Sequence, residues 1–147
     1  MTQTYQFYTP TPLHHLAGGV LVNGKLTALR YSTEPAIDAW LSSAPFHQAL
    51  AESADLDAMW CGDAPLPLAD HLADITVPLL YLGAAGGFGD HGLYTTTLVA
   101  STDVTTKVIR RLAPAQEGED FGHADLLFAG DAPDLAWQPL AQWILQH

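Results

Sequence analysis

A single cysteine, Cys61, stands among 147 residues, so no internal disulfide can form and zinc-knuckle spacing is absent. Basic residues are also scarce: five lysines and arginines face sixteen acidic residues, a net charge of −11. A surface of that sign repels phosphate backbones and anionic lipid, so neither nucleic acid nor membrane is expected as a partner. No apolar run approaches the roughly 18 residues that mark a membrane-spanning helix. Met1-Thr2-Gln3-Thr4-Tyr5-Gln6 lacks the basic and apolar regions of a secretory signal, which leaves the cytoplasm as the default expectation. Internal repeats and low-complexity tracts are missing. So is a Gly-x-Ser-x-Gly turn around Ser32, Ser42, Ser43, Ser53 or Ser101, the turn on which many hydrolases present a nucleophile.

What is present is a packed chain. With 48% hydrophobic and 14% charged residues, the composition is that of a globular protein, and the length fits one domain. So low a charge content also suggests that something else covers part of the apolar surface. Residues 1–17, with Pro10, Pro12 and His14-His15, read as an irregular arm. Asn23-Gly24, between Val20-Leu21-Val22 and Lys25-Leu26, suits a type I′ hairpin, since both residues tolerate positive φ; an interrupted helix pair is the alternative. From Glu34 to Glu52 apolar residues recur at helical spacing, with Thr33 as a cap and Pro35 in the first turn. Leu56–Trp60 can add a helical turn before the loop at Gly62–Pro67.

Ile75–Gly83 holds the clearest strand, and Val77–Leu82 is apolar enough to be buried on both faces of a parallel sheet. Lys107–Leu112 reads as a strand or a helix end. The last segment places Ala132, Leu135, Ala136, Leu140, Trp143 and Ile144 on one stripe, with Asp131 or Asp134 as N-cap, so that Pro139 lies in the first turn or kinks the helix. Leu140, Trp143 and Ile144 are expected to face the sheet. Trp40, Trp60, Trp137 and Trp143 are expected to fill core.

Phe121-Gly122-His123-Ala124-Asp125-Leu126-Leu127-Phe128, followed by Asp131-Ala132 and a tryptophan-bearing helix, resembles the end of an α/β-hydrolase of lipase or esterase type. The resemblance spans Ile75 to His147 and implies an α/β fold with the last core strands, a histidine loop and a closing helix. It makes residues 73–147 the core segment and residues 1–72 a cap-like helical and hairpin region. His123 would be the catalytic histidine and the triad acid would follow Gly83. Ala84, Ala85, Gly86 and Gly87 cannot orient an imidazole. The acid is then Asp90, or comes from an earlier strand outside this chain. Asp125 would brace the turn after His123. A complete enzyme would cleave a small-molecule ester or amide through an acyl-enzyme, with a serine supplied by another segment; alone, this chain would be inactive. Missing earlier strands would leave a sheet edge open to a second copy.

Blander readings stand beside these. His123 can be a surface or capping histidine, and Asp90 a turn residue between glycines. The whole chain can instead be a small non-catalytic α+β domain that binds a partner or an apolar ligand. Gly83–Gly89 resembles a dinucleotide loop, but the spacing is wrong and Asp90-His91-Gly92 is a poor helix start. No cofactor is expected. His14-His15, Asp70-His71 and Asp90-His91 lack metal-ligand spacing, and Cys61 reads as a small buried hydrophobe.

Overall fold

A computed structural model of the chain describes residues 16–43, 69–87 and 89–147. The N-terminal arm to residue 15, the helical continuation toward Glu52, and the turns, loop, Trp60 and Cys61 expected between residues 44 and 68 lie outside them. The architecture is mixed α/β.

Strands β1 (Gly19–Val22) and β2 (Lys25–Leu29) form an antiparallel hairpin. Its turn is the one that Asn-Gly chemistry demands, since Asn23 has φ 52° and Gly24 φ 71°. Pairing steps from Val20↔Ala28 to Leu21↔Leu26, so Thr27 is an extra residue, and its hydroxyl donates to Val20 O at 3.1 Å. Helix α1 (Glu34–Ser42) follows, with Thr33 Oγ1 accepting from Ala36 N at 3.4 Å and Pro35 in the first turn.

After a 3₁₀ turn at Ala69–Asp74 come β3 (Leu79–Ala84), α2 (Gly89–Thr96) and β4 (Val104–Ile109). The strands pair in parallel from Leu79↔Val104 to Ala84↔Ile109, which resolves the ambiguity at Lys107 in favour of strand. Alternation sorts the side chains onto two faces. On one, the Tyr81 hydroxyl donates to Gly89 O of α2 at 2.6 Å. On the other, Leu82, Ala84 and Ile109 join Phe121, Ala129, Ala132 and Ala136 in the main core. Helices therefore cover both faces. The apolar run starts two residues later than the sequence suggested, because Val77 precedes the strand and is 63% exposed. Burial is complete at Gly83 and Ala84 and partial from Leu79 to Leu82.

Beyond β4, a 3₁₀ turn (Pro114–Glu119) leads to the short helix α3 (Asp125–Phe128), a π-helical turn (Pro133–Trp137) and helix α4 (Gln138–Gln146). Pro139 falls in the first turn of α4, one of its two expected places. Ala132, not an aspartate, takes the cap position, and Asp131 contributes its backbone carbonyl, which receives Asp134 N and Leu135 N. Having no N–H, Pro139 cannot donate to Leu135 O as a regular helix requires. The Lys107 ammonium, reaching from β4, takes that carbonyl at 2.7 Å. Trp143 Nε1 also meets the sheet, at Thr105 Oγ1 (3.2 Å). Leu140 and Ile144 do not: they remain 40% and 58% exposed. Strands lie about 4.8 Å apart and a helix is about 10 Å across, so a two-stranded sheet is too narrow to cover the whole stripe.

A second core joins Leu26 of the hairpin, Ile37 of α1 and Ala124, with the Trp40 and Phe128 rings tilted 38° to each other at 5.4 Å. Both outer edges of the β3–β4 sheet lack a partner strand among the described residues. No helix there is long and apolar enough to cross a membrane.

Candidate functional site

The segment from Asp120 to Asp125 crosses the carboxyl ends of β3 and β4 and is fixed from both sides. Gly86 N donates to Phe121 O at 2.9 Å, and Gly87 approaches His123 so closely that a Cβ there would overlap the His123 backbone. The glycine run after β3 exists for this contact. From the hairpin side, Ala124 N donates to Leu16 O at 2.6 Å, and the Tyr31 and Phe121 rings lie 5.1 Å apart.

Two fully buried carboxylates organise the loop. Asp120 accepts from Arg111 N (2.9 and 3.0 Å), Leu112 N (3.1 Å) and Phe121 N (2.7 Å), holding the exit of β4. The same carboxylate sits beside Tyr31, whose hydroxyl is pushed up to about 12, first by burial and then by that negative charge. Asp125 accepts from Gly122 N (2.8 Å), Gly18 N (2.6 Å) and the Ser32 hydroxyl. It braces the turn after His123, as the sequence suggested, and also ties that turn to the N-terminal segment. Burial raises its carboxyl above the ordinary carboxylate range; the three hydrogen bonds pull the other way and offset only part of the effect.

Between these anchors the His123 side chain is exposed, although Gly122 and Ala124 on either side are buried. Its imidazole has no hydrogen-bond partner among the described residues. It borders an apolar cleft of about 240 Å³ lined by Leu82, Leu126, Leu127, Ala136, Trp137 and Leu140. Trp137, expected in the core, is 47% exposed at this cleft, and its Nε1 donates to Leu126 O at 3.0 Å.

Asp90 does not partner His123. It lies in the first turn of α2, where its carboxylate pairs with Arg110 from the end of β4, and Glu117 stands 3.7 Å from the same guanidinium. The Asp90 hydrogen bond is the main reason that Arg110 holds its proton more tightly than usual. The physical cause of this correction is local: a guanidinium at the strand exit claims the carboxylate. Asp90-His91-Gly92 does begin a helix, contrary to expectation. The preceding loop still offers no phosphate cradle, because Ala85 N, Gly86 N and Gly87 N donate to Ile109 O, Phe121 O and Ala84 O.

His71 pairs with Asp74 at 3.0 Å within one exposed turn, and no group of three metal-ligating side chains occurs among the described residues. Sequence reasoning missed Asp120 and Arg110. A carboxylate two residues before Gly122 and an arginine closing an apolar strand were the only signals, and neither differs from a surface charge. No known protein family matches this chain, and neither does any curated protein or solved structure.

Proposed function

We propose that this chain carries the histidine end of an α/β-hydrolase-type active centre that cleaves a small-molecule ester or amide. One observation carries the reading: an exposed imidazole without an internal partner stands on a rigidly held loop at the carboxyl ends of two parallel strands, where open α/β folds bind their ligands. In this centre a serine outside the described residues attacks the carbonyl. His123 takes the hydroxyl proton and then delivers it to the leaving group. Three of the four described serines are engaged internally: Ser32 is buried on Asp125, Ser43 bonds Trp40 O, and Ser101 bonds Asp103 O, while Ser42 is exposed at the end of α1. Asp90 and Asp125 are committed to Arg110 and to the loop amides, so the acid that orients His123 also comes from outside the described residues. A second copy pairing along the open edge of β3 or β4 belongs to the same proposal.

The test is fluorophosphonate labelling and p-nitrophenyl ester turnover by the natural polypeptide with whatever accompanies it in its source. A labelled serine is expected, and His123→Ala should lower turnover at least about 100-fold without unfolding the chain. Undiminished turnover in that variant ends the reading. The alternative, a non-catalytic binding domain, draws on Leu140, Ile144 and Leu145, which α4 leaves 40%, 58% and 87% exposed. Absence of any labelled serine favours it.

A further inference from the structure

We infer that the cleft beside His123 is an acyl subsite, which takes a small apolar acyl group of phenyl or short-alkyl size with its carbonyl end at the imidazole. The placement of the carbonyl end rests on the hydrolase reading; the affinity for the apolar body does not.

The walls determine the ligand class. Leu82 of β3, Leu126 and Leu127 of α3, Ala136 and Trp137 of the π turn, and Leu140 of α4 surround the space, and His123 is the one lining residue with a polar side chain besides the indole. The indole N–H is already given to Leu126 O, so Trp137 offers the cleft carbon surface. A polar ligand would lose its hydration there and find a single partner. An apolar body loses nothing, and one carbonyl or carboxylate at its end meets that one partner. The volume sets the size. About 240 Å³ is available, whereas a cavity of roughly 150 Å³ lined by similar side chains already holds benzene. The small side chain of Ala136, 1% exposed and part of the main core, leaves this room where the π turn passes the sheet.

Free carboxylates are the direct probe, because they bind without any nucleophile. Butanoate, hexanoate, octanoate and phenylacetate would be titrated into the chain while the methyl signals of Leu126, Leu127 and Leu140 and the ring signals of His123 are followed by NMR. Saturable shifts at these residues are expected, with affinity rising about fourfold per added methylene until the cleft is filled and then levelling. Leu127→Glu and Leu140→Glu change side chains already 54% and 40% exposed. Both should keep the native circular dichroism and weaken binding at least tenfold. His123→Ala should retain the methyl shifts while turnover disappears. No shift at any of these leucines up to the solubility limit overturns the subsite, as does undiminished binding in both glutamate variants or burial of the leucines in a dimer. Carboxylate binding with chain-length dependence, combined with full turnover in His123→Ala, would instead retain the cleft and remove the hydrolase reading.

Discussion

The loop from Asp120 to Asp125 and helix α4 are neighbours in sequence and treat water in opposite ways. The loop takes two carboxylates out of solvent, where they accept six contacts from backbone amides, counting both oxygens of Asp120 on Arg111 N, and one each from the Ser32 and Tyr31 hydroxyls. The helix leaves leucine and isoleucine in solvent, with no charged side chain between Gln138 and Gln146. Apart from the exposed His123 imidazole, the first region completes its polar interactions internally; the second leaves its apolar surface open. Rigidity in this protein therefore comes from buried polar bonding around His123, whereas the apolar surface is held in reserve.

The largest expected effect lies in the loop. Asp125→Ala strands Gly18 N, Gly122 N and the Ser32 hydroxyl in a buried site and should cost about 3 kcal/mol or more in denaturant melts. A loss below about 1 kcal/mol would show that the carboxylate does not hold the loop. Asp125→Asn keeps an acceptor for the amides and a donor for Ser32, so it should retain most of the stability. It should also change the pH profile. The folded-state pKa of Asp125 is raised, so the native state binds the proton more tightly than the unfolded chain does. Stability from this group is then fully present below the ordinary carboxylate pKa and is lost as pH rises through the raised value. The asparagine variant should lack that decline, and an unchanged slope would remove Asp125 as its source.

Gly87→Ala comes next. A Cβ at this position meets the backbone of His123 and Gly122, so the two loops must separate, at about 1–3 kcal/mol. Calorimetry together with His123 ring shifts would report both the cost and the displacement. A smaller effect is expected at the helix–sheet junction. Lys107→Met frees Leu135 O and should cost about 1 kcal/mol. In a Pro139→Ala background, which restores the missing N–H, the same change should cost less, and a double-mutant cycle measures the coupling. Additive costs would mean that the lysine does not compensate the proline. Ile144→Gln, on the open stripe, should stay within about 0.5 kcal/mol. A large loss there would erase the contrast between loop and helix.

What was legible in the sequence follows the range of the forces involved. The Asn23-Gly24 turn, the Thr33 cap and the placement of Pro139 are set by neighbours within a few residues, and each stands where residue chemistry put it. The post-β3 loop meets the His123 loop because β3 and β4 pair in parallel, a pairing that the strand-or-helix ambiguity at Lys107–Leu112 left unread. The candidate site was less readable. Sixteen acidic residues look alike in the chain, yet Asp120 and Asp125 are buried and Asp90 is claimed by an arginine twenty residues away. Periodicity showed that α4 is two-faced, but not that the sheet beneath it is too narrow to cover one face.

The bond from Gly18 to Asp125 joins residues 107 positions apart. On a ribosome adding about 5–20 residues per second, that separation amounts to roughly 5–20 s. The hairpin turn at Asn23-Gly24 can close in about 1–10 μs. The hairpin must therefore wait for seconds, while the intervening residues are made, for the aspartate that fixes it. During that interval Leu26, later at 1% exposure, has no Ala124 to pack against. The loop bearing His123 is thus completed only when the segment at Gly18 meets residues made 107 positions later.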